Sequence, residues 1–264
     1  MSQQRVVLIS GGASGIGAAL ATAHSRLGDT VVVADIRPRD PEHVHLDVTD
    51  RQAFARVARQ VVDEHGRIDV FYNNAGIATG GLVEELSPEH WDRTIDVNLR
   101  GVVHGIEAVY PLMRAQRSGH IVNTASLAGL LPAPVMAPYT ATKHAVVALS
   151  QALRMEARAH GVKVTAVCPG FVDTPLLQAV NRDVPATGVN GETPALVERL
   201  RPHLLPAEEL ARIVVEALPK NPALVVAPRQ ARLAAWAQRF APGLVRLVTA
   251  RELRRYRRAA RRAR

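Results

Sequence analysis

Ser126, Tyr139 and Lys143 bring a hydroxyl, a phenol and an ammonium into a spacing that can do chemistry. Tyr139 and Lys143 stand four residues apart, so a helix through them presents both on one face. Ser126 precedes the tyrosine by thirteen positions. A phenol of pKa near 10 is a poor base at neutral pH, and bringing it to about 7 takes on the order of 4 kcal/mol of preferential phenolate stabilisation. The Lys143 ammonium and a second nearby cation would supply that, while Ser126 hydrogen-bonds a substrate oxygen and holds it beside the phenol. The chemistry these three predict is proton transfer at an alcohol or carbonyl oxygen, with Tyr139 as donor and acceptor.

A second constellation lies at the start of the chain. Ser10-Gly11-Gly12-Ala13-Ser14-Gly15-Ile16-Gly17 follows a β-branched run and opens directly into a helical pattern. Glycines at such a turn let the backbone approach a pyrophosphate, and the free amides of the helix start favour its charge. Gly11, Ser14, Gly15, Ile16 and Gly17 are therefore predicted to hold a dinucleotide. Asp35 ends the second strand-like run, 18 positions after Gly17, where a carboxylate accepts hydrogen bonds from ribose hydroxyls and repels a 2′-phosphate. NAD is thus preferred over NADP, which Arg37 leaves open by standing close enough to offset part of that repulsion. The oxidised nicotinamide is then the second cation beside Tyr139.

These motifs resemble the single-domain branch of the short-chain dehydrogenase/reductase family with its Tyr-x-x-x-Lys active site, from Ser10 to about Thr174. Ser10 stands where threonine is commoner, and none of the catalytic positions is substituted. The resemblance implies that Asp47 and Val48 contact adenine, and that Asn74, Ala75 and Gly76, in Asn73-Asn74-Ala75-Gly76, form the cofactor-side end of a strand. It makes Asn98 a fourth catalytic residue, whose backbone helps hold a proton-relay water. It places Pro169, Gly170, Val172 and Thr174 at the nicotinamide end, gives Lys143 the nicotinamide ribose as well, and implies a homodimer or homotetramer built on the long helices.

The elements that must position these groups read as an alternation of strands and helices. Strands are predicted at 5–9, 30–34, 45–48, 68–72, 120–124, 163–167 and 224–227, and helices at 16–27, 50–65, 88–117, 138–160 and 207–218. Such βαβ repetition, with right-handed crossovers, predicts an α/β fold: a Rossmann-type, doubly wound, seven-stranded parallel sheet with helices on both faces. One domain over residues 1–250 is expected, with a mobile substrate lid at about 174–206 and an arginine-rich tail at 251–264. Leu233, Trp236 and Phe240 suggest one more amphipathic helix, interrupted at Pro242-Gly243. Thr249 and Glu252 could cap a short helix in the tail.

Bulk properties narrow the function. Of 264 residues, 47% are hydrophobic and 22% charged, as in ordinary globular enzymes. The net charge of +9 suggests nucleic acid, yet residues 251–264 carry eight arginines against one glutamate, +7, which leaves +2 for the other 250. Basicity therefore belongs to the tail, which could touch an anionic membrane surface, bind nucleic acid or stand solvated and partly disordered. Cys168, the one cysteine, lies in an apolar strand and reads as a buried small side chain rather than a nucleophile. No signal-like run precedes the first strand and no apolar stretch is long enough to span a bilayer, so a cytoplasmic location is expected. The ten histidines contain no zinc-type pattern, and no catalytic metal is predicted. The reading is an NAD(H)-dependent interconversion of a small-molecule secondary alcohol and ketone. The alternatives are an NADP(H)-dependent carbonyl reductase and a non-catalytic cofactor-binding scaffold.

Overall fold

The computed structural model describes residues 4–190, 198 and 204–262. Seven strands, β1 (Val6–Ser10), β2 (Thr30–Asp35), β3 (Val44–His45), β4 (Val70–Asn73), β5 (Gly119–Thr124), β6 (Val162–Pro169) and β9 (Leu224–Ala227), form one parallel sheet in the order β3-β2-β1-β4-β5-β6-β9. The order reverses between β1 and β4, which is where doubly wound sheets open a crevice at their carboxyl ends. Alternation along β1 shows why the sheet is covered twice: Val6 and Leu8 enter one apolar cluster, while Val7 and Ile9 enter the other.

The first cluster is closed by α2 (Arg51–His65), α4 (Gly101–Gln116) and α5 (Ala137–Ala157), through Phe54, Met113 and Leu153. The second is closed by α1 (Gly15–Ser25) and α6 (Ala207–Ala217), through Leu20 and Leu210. Local signals set the boundaries. Asp50 accepts from the amides of Gln52 and Ala53 at 2.8 and 2.9 Å to start α2, and Gly66 ends it at φ 79°.

Three features depart from the sequence expectations. The helix expected at 88–117 is broken into α3 (Pro88–Ile95), a π-helical turn at Asp96–Arg100, and α4. Hydrophobic periodicity does not register a single widened turn, which changes the pitch and not the apolar pattern. A short pair of parallel strands, β7 (Val172–Asp173) and β8 (Leu205–Pro206), closes the two ends of the lid segment. Residues 191–197 and 199–203 of that lid lie outside the described residues. The part from 174 to 190 is tied down: the buried Asn181 amide bonds both backbone groups of Gly80 at 2.9 and 2.8 Å, and His90 bonds the Pro185 carbonyl at 2.9 Å.

The C-terminal segment also corrects the reading. After α7 (Arg229–Phe240) the chain turns at Ala241 and enters α8 (Pro242–Arg262), which runs straight through residue 251. Proline at the first helical position explains the start there. Thr249 caps nothing: its hydroxyl donates to the carbonyl of Val245, inside the helix. In the described part of the tail Arg257 approaches Glu84 at 3.8 Å and the Tyr256 hydroxyl lies against Gly188.

Candidate active site

Ser126 follows β5, and its hydroxyl accepts the Ala128 amide at 3.1 Å, capping a single 3₁₀ turn at Leu127–Gly129. Tyr139 and Lys143 occupy the first two turns of α5, where their spacing puts both on the face turned to β5. The Ser126 hydroxyl is close enough to the Tyr139 phenol to favour its ionised form. The Lys143 ammonium lies 5.5 Å from the centre of the Tyr139 ring and donates to the Thr124 carbonyl at 2.9 Å. Both side chains are buried, Lys143 to 3% exposure. Burial pushes the phenol above its usual range, against the effect of the Ser126 hydroxyl, and pulls the ammonium down to about 8.

Asn98 sits in the π-helical turn, and the widened turn lets its carboxamide reach the preceding loop. Its Nδ2 donates to the Ile77 carbonyl at 2.9 Å and its Oδ1 accepts the Ile77 amide at 2.8 Å. Gly76 lies against this group: a Cβ there would stand 3.2 Å from Asn98 Oδ1 and 3.6 Å from Lys143 Nζ. The four residues singled out as catalytic are therefore brought together around the carboxyl ends of β4 and β5.

The glycine turn closes the same crevice on the β1 side. Gly11, at φ 64°, passes so close to Ala75 that a Cβ would come within 2.7 Å of its Cα. Gly17 packs on the turn itself, where a Cβ would meet the Gly11 carbonyl at 2.1 Å. Gly15, at φ 52°, faces Thr174, so the start of α1 meets the segment after β6. Ser14 precedes α1 without a side-chain cap, and Ile16 packs beneath with the second core. Asn74 fastens the turn to the sheet, donating to the carbonyls of Ser10 and Gly11 at 3.3 and 3.1 Å and accepting from Thr124 Oγ1 at 3.1 Å.

Asp35 ends β2 with one carboxylate oxygen accepting the Ala13 amide at 3.0 Å and the other accepting the Arg37 amide at 2.9 Å. The Arg37 guanidinium is directed to Asp183, 3.8 Å away. Asp47 accepts from the amide and hydroxyl of Thr49, and Val48 packs on Gly101 beside β3. Pro169 closes β6, Gly170 donates to the Ala227 carbonyl at 2.7 Å, and Val172 is buried in β7. The cofactor positions named from sequence thus line one continuous edge, from β3 across β1 and β4 to β6.

Several supporting groups carried no sequence signal. Thr124 joins the lysine to Asn74 through its carbonyl and its hydroxyl. Val135, ahead of α5, is held at φ 61°, a costly conformation for a β-branched residue, and its carbonyl accepts the Gly81 amide at 2.7 Å. Cys168, by contrast, reads from the sequence as a buried small side chain: it is fully buried next to Ser126, and burial raises its thiol to about 12, so it is a protonated packing group at neutral pH. Asn181, at φ 59°, anchors the lid, and asparagine's tolerance of that conformation is the only hint the sequence offered.

Residues 5–185 match the model of the short chain dehydrogenase family. A 3-oxoacyl-[acyl-carrier-protein] reductase, FabG, of Thermotoga maritima is 37% identical over 188 residues, covering 66% of this chain and 76% of its own. A short chain dehydrogenase/reductase from Burkholderia phymatum, solved in complex with NAD, superposes with a TM-score of 0.81 at 29% identity, over 91% of this chain and 95% of its own. ElxO, solved with NADP bound, superposes with a TM-score of 0.72 at 25% identity, over 85% and 97%. The chain belongs to the short-chain dehydrogenase family and is an oxidoreductase whose neighbours bind a nicotinamide dinucleotide. Among the described residues no helix is long and apolar enough to cross a membrane.

Proposed function

We propose that the protein interconverts a secondary alcohol and a ketone with NAD(H), using Tyr139 as general acid and base. The observation that carries this reading is the meeting of Ser126, Tyr139, Lys143 and Asn98 at the edge where the glycine turn opens. The residues present fit a dinucleotide: the turn is stripped of Cβ atoms where it passes Ala75, and the start of α1 has no side-chain cap competing for its amides.

When bound, the nicotinamide supplies the hydride acceptor for alcohol oxidation and the donor for ketone reduction. In oxidation Tyr139 takes the hydroxyl proton as the carbon-bound hydrogen leaves with its electron pair. In reduction the phenol returns that proton to the forming alkoxide. Ser126 holds the substrate oxygen next to the phenol. Lys143 has spent one of its three N–H groups on Thr124, and the other two are available for the nicotinamide ribose and for steadying the phenolate. Asn98, locked to Ile77, holds its turn rigid so that its backbone can keep a relay water for proton return.

Asp35 supports NAD, since it stands at the end of β2 with the glycine turn bound to it, and the Arg37 guanidinium is turned to Asp183. Asp47 and Val48 would flank the adenine, Asn74, Ala75 and Gly76 the cofactor's inner side, and Pro169, Gly170, Val172 and Thr174 its nicotinamide end. The lid side chains Leu176, Leu177, Val180, Val184 and Val189 suit an apolar substrate. A homodimer or homotetramer through the long helices is the assembly this reading carries. The test is a panel of secondary alcohols assayed with NAD and with NADP by nicotinamide absorbance. Turnover with NAD favoured supports the reading, and NADP favoured with every active alcohol would replace it with the NADP-dependent reductase.

A further inference from the structure

Of eleven large hydrophobic side chains exposed among the described residues, six fall within the sixteen positions from Leu233 to Val248. On α7, Leu233, Trp236 and Phe240 recur at i, i+3 and i+7, and on α8, Leu244, Leu247 and Val248 recur at i, i+3 and i+4, so each helix leaves one apolar stripe in solvent. The Trp236 and Phe240 rings stand 5.0 Å apart, and the Arg239 guanidinium lies 5.8 Å from the centre of the Phe240 ring. Charge is concentrated on the same two helices. Residues 229–264 hold twelve arginines against one glutamate, +11 in a chain whose total is +9, so residues 1–228 carry −2.

We propose that α7 and α8 form a docking surface for an anionic lipid bilayer, lying in the headgroup plane with the Trp236, Phe240 and Leu247 stripe in the acyl boundary and the flanking arginines on lipid phosphates. This is the amphipathic pattern of a helix that lies on a membrane and does not cross it. A second copy of this chain fits less well, because a two-fold contact through this face would set +11 against +11. Nucleic acid would engage the arginines and leave the aliphatic Leu244, Leu247 and Val248 in water. The Tyr256 contact with Gly188 ties α8 to the lid segment, and the Arg257 approach to Glu84 ties it to the turn at Val83–Glu85, so docking holds the lid segment near the lipid. The surface is independent of the reaction assigned above.

The experiment is co-sedimentation of the full chain with vesicles of phosphatidylcholine alone or with about a third phosphatidylglycerol, at low and high salt. It includes a Trp236→Ser, Phe240→Ser, Leu247→Ser triple variant, which leaves the charge unchanged. The wild type should partition into anionic vesicles about tenfold better than into neutral ones, and the triple variant should lose about tenfold of that. In a Trp91→Phe background, Trp236 fluorescence should be quenched by acyl-brominated phosphatidylglycerol; this readout needs no folded triple variant. Three results would each overturn the proposal: no partition into anionic vesicles, partition equal in the triple variant, or absence of quenching. A triple variant that changes oligomeric state in sedimentation velocity while vesicles leave the wild type untouched would give the face to a second copy instead.

Discussion

Around Tyr139 the polar groups are buried and bonded one to another, with Lys143 at 3% exposure and Asn98 at 0%, whereas from Leu233 to Val248 six large apolar side chains stand more than half exposed. Each region inverts the usual placement of its residue types, and each inversion has a different cause. Burying an ammonium, a phenol and a carboxamide costs several kcal/mol unless every one is partnered, so that edge of the sheet is specific in its geometry and intolerant of change. The exposed stripe needs no fixed partners, and its properties follow from composition and periodicity alone. The lesson is that the first region should respond sharply to single substitutions and the second only to several together.

The largest expected break is Lys143→Ala. With one ammonium serving both phenolate and ribose, as proposed, it should lower kcat/KM about a thousandfold and weaken NAD binding about tenfold. Steady-state kinetics with titration calorimetry would check it, and an unchanged affinity would remove the ribose from its role.

Next in size is acid sensitivity, which the comparison assigns to the sheet and its flanking helix and not to α7 and α8. Burial pulls His120 down to about 4, so it is neutral in the folded protein where an exposed histidine titrates near 6.5, and burial lowers His24 as well. Between those values the unfolded chain binds protons that the folded one does not. Stability should therefore fall as pH drops from 6.5 towards 4, by up to about 1.4 kcal/mol per pH unit from His120, with His24 acting in the same direction. Denaturant titrations over that range would show it, and His120→Gln should flatten the limb.

Asp35→Ala should move the NAD to NADP ratio of kcat/KM by about tenfold towards NADP, by ending the repulsion of a 2′-phosphate. Affinity for both should drop as well, since the Ala13 amide loses its acceptor. A ratio that stays fixed would take Asp35 away from the ribose.

The smallest effect should come from deleting residues 251–264. The exposed Arg257–Glu84 pair is worth at most about 1 kcal/mol, so kcat and NAD affinity should stay within about two-fold. A larger loss would transfer α8 from the surface region to the catalytic one.

Much of this was legible in the sequence because the signals were local. Strand alternation, the glycine turn and the Tyr139 to Lys143 spacing each depend on residues within one or two turns of one another, Asp35 on its place at the end of the next strand, and the seven strands and their flanking helices follow from such patterns. What stayed hidden depends on contacts across the fold. The π-helical turn that carries Asn98 leaves the apolar period intact, and Thr124 acts through its carbonyl, which no side-chain pattern reports. Asn181 meets Gly80 across a separation of 101 residues. The tail misled for another reason: its arginines read as a solvated stretch, while the helix that carries them starts nine residues earlier, at Pro242.

The central claim, that Tyr139 moves the proton while the buried edge holds everything else in place, is tested most directly by Tyr139→Phe. The substitution removes only the hydroxyl, so kcat should fall about a thousandfold while the dissociation constant for NAD, measured by calorimetry, stays within about two-fold. A variant that keeps its turnover would contradict the account.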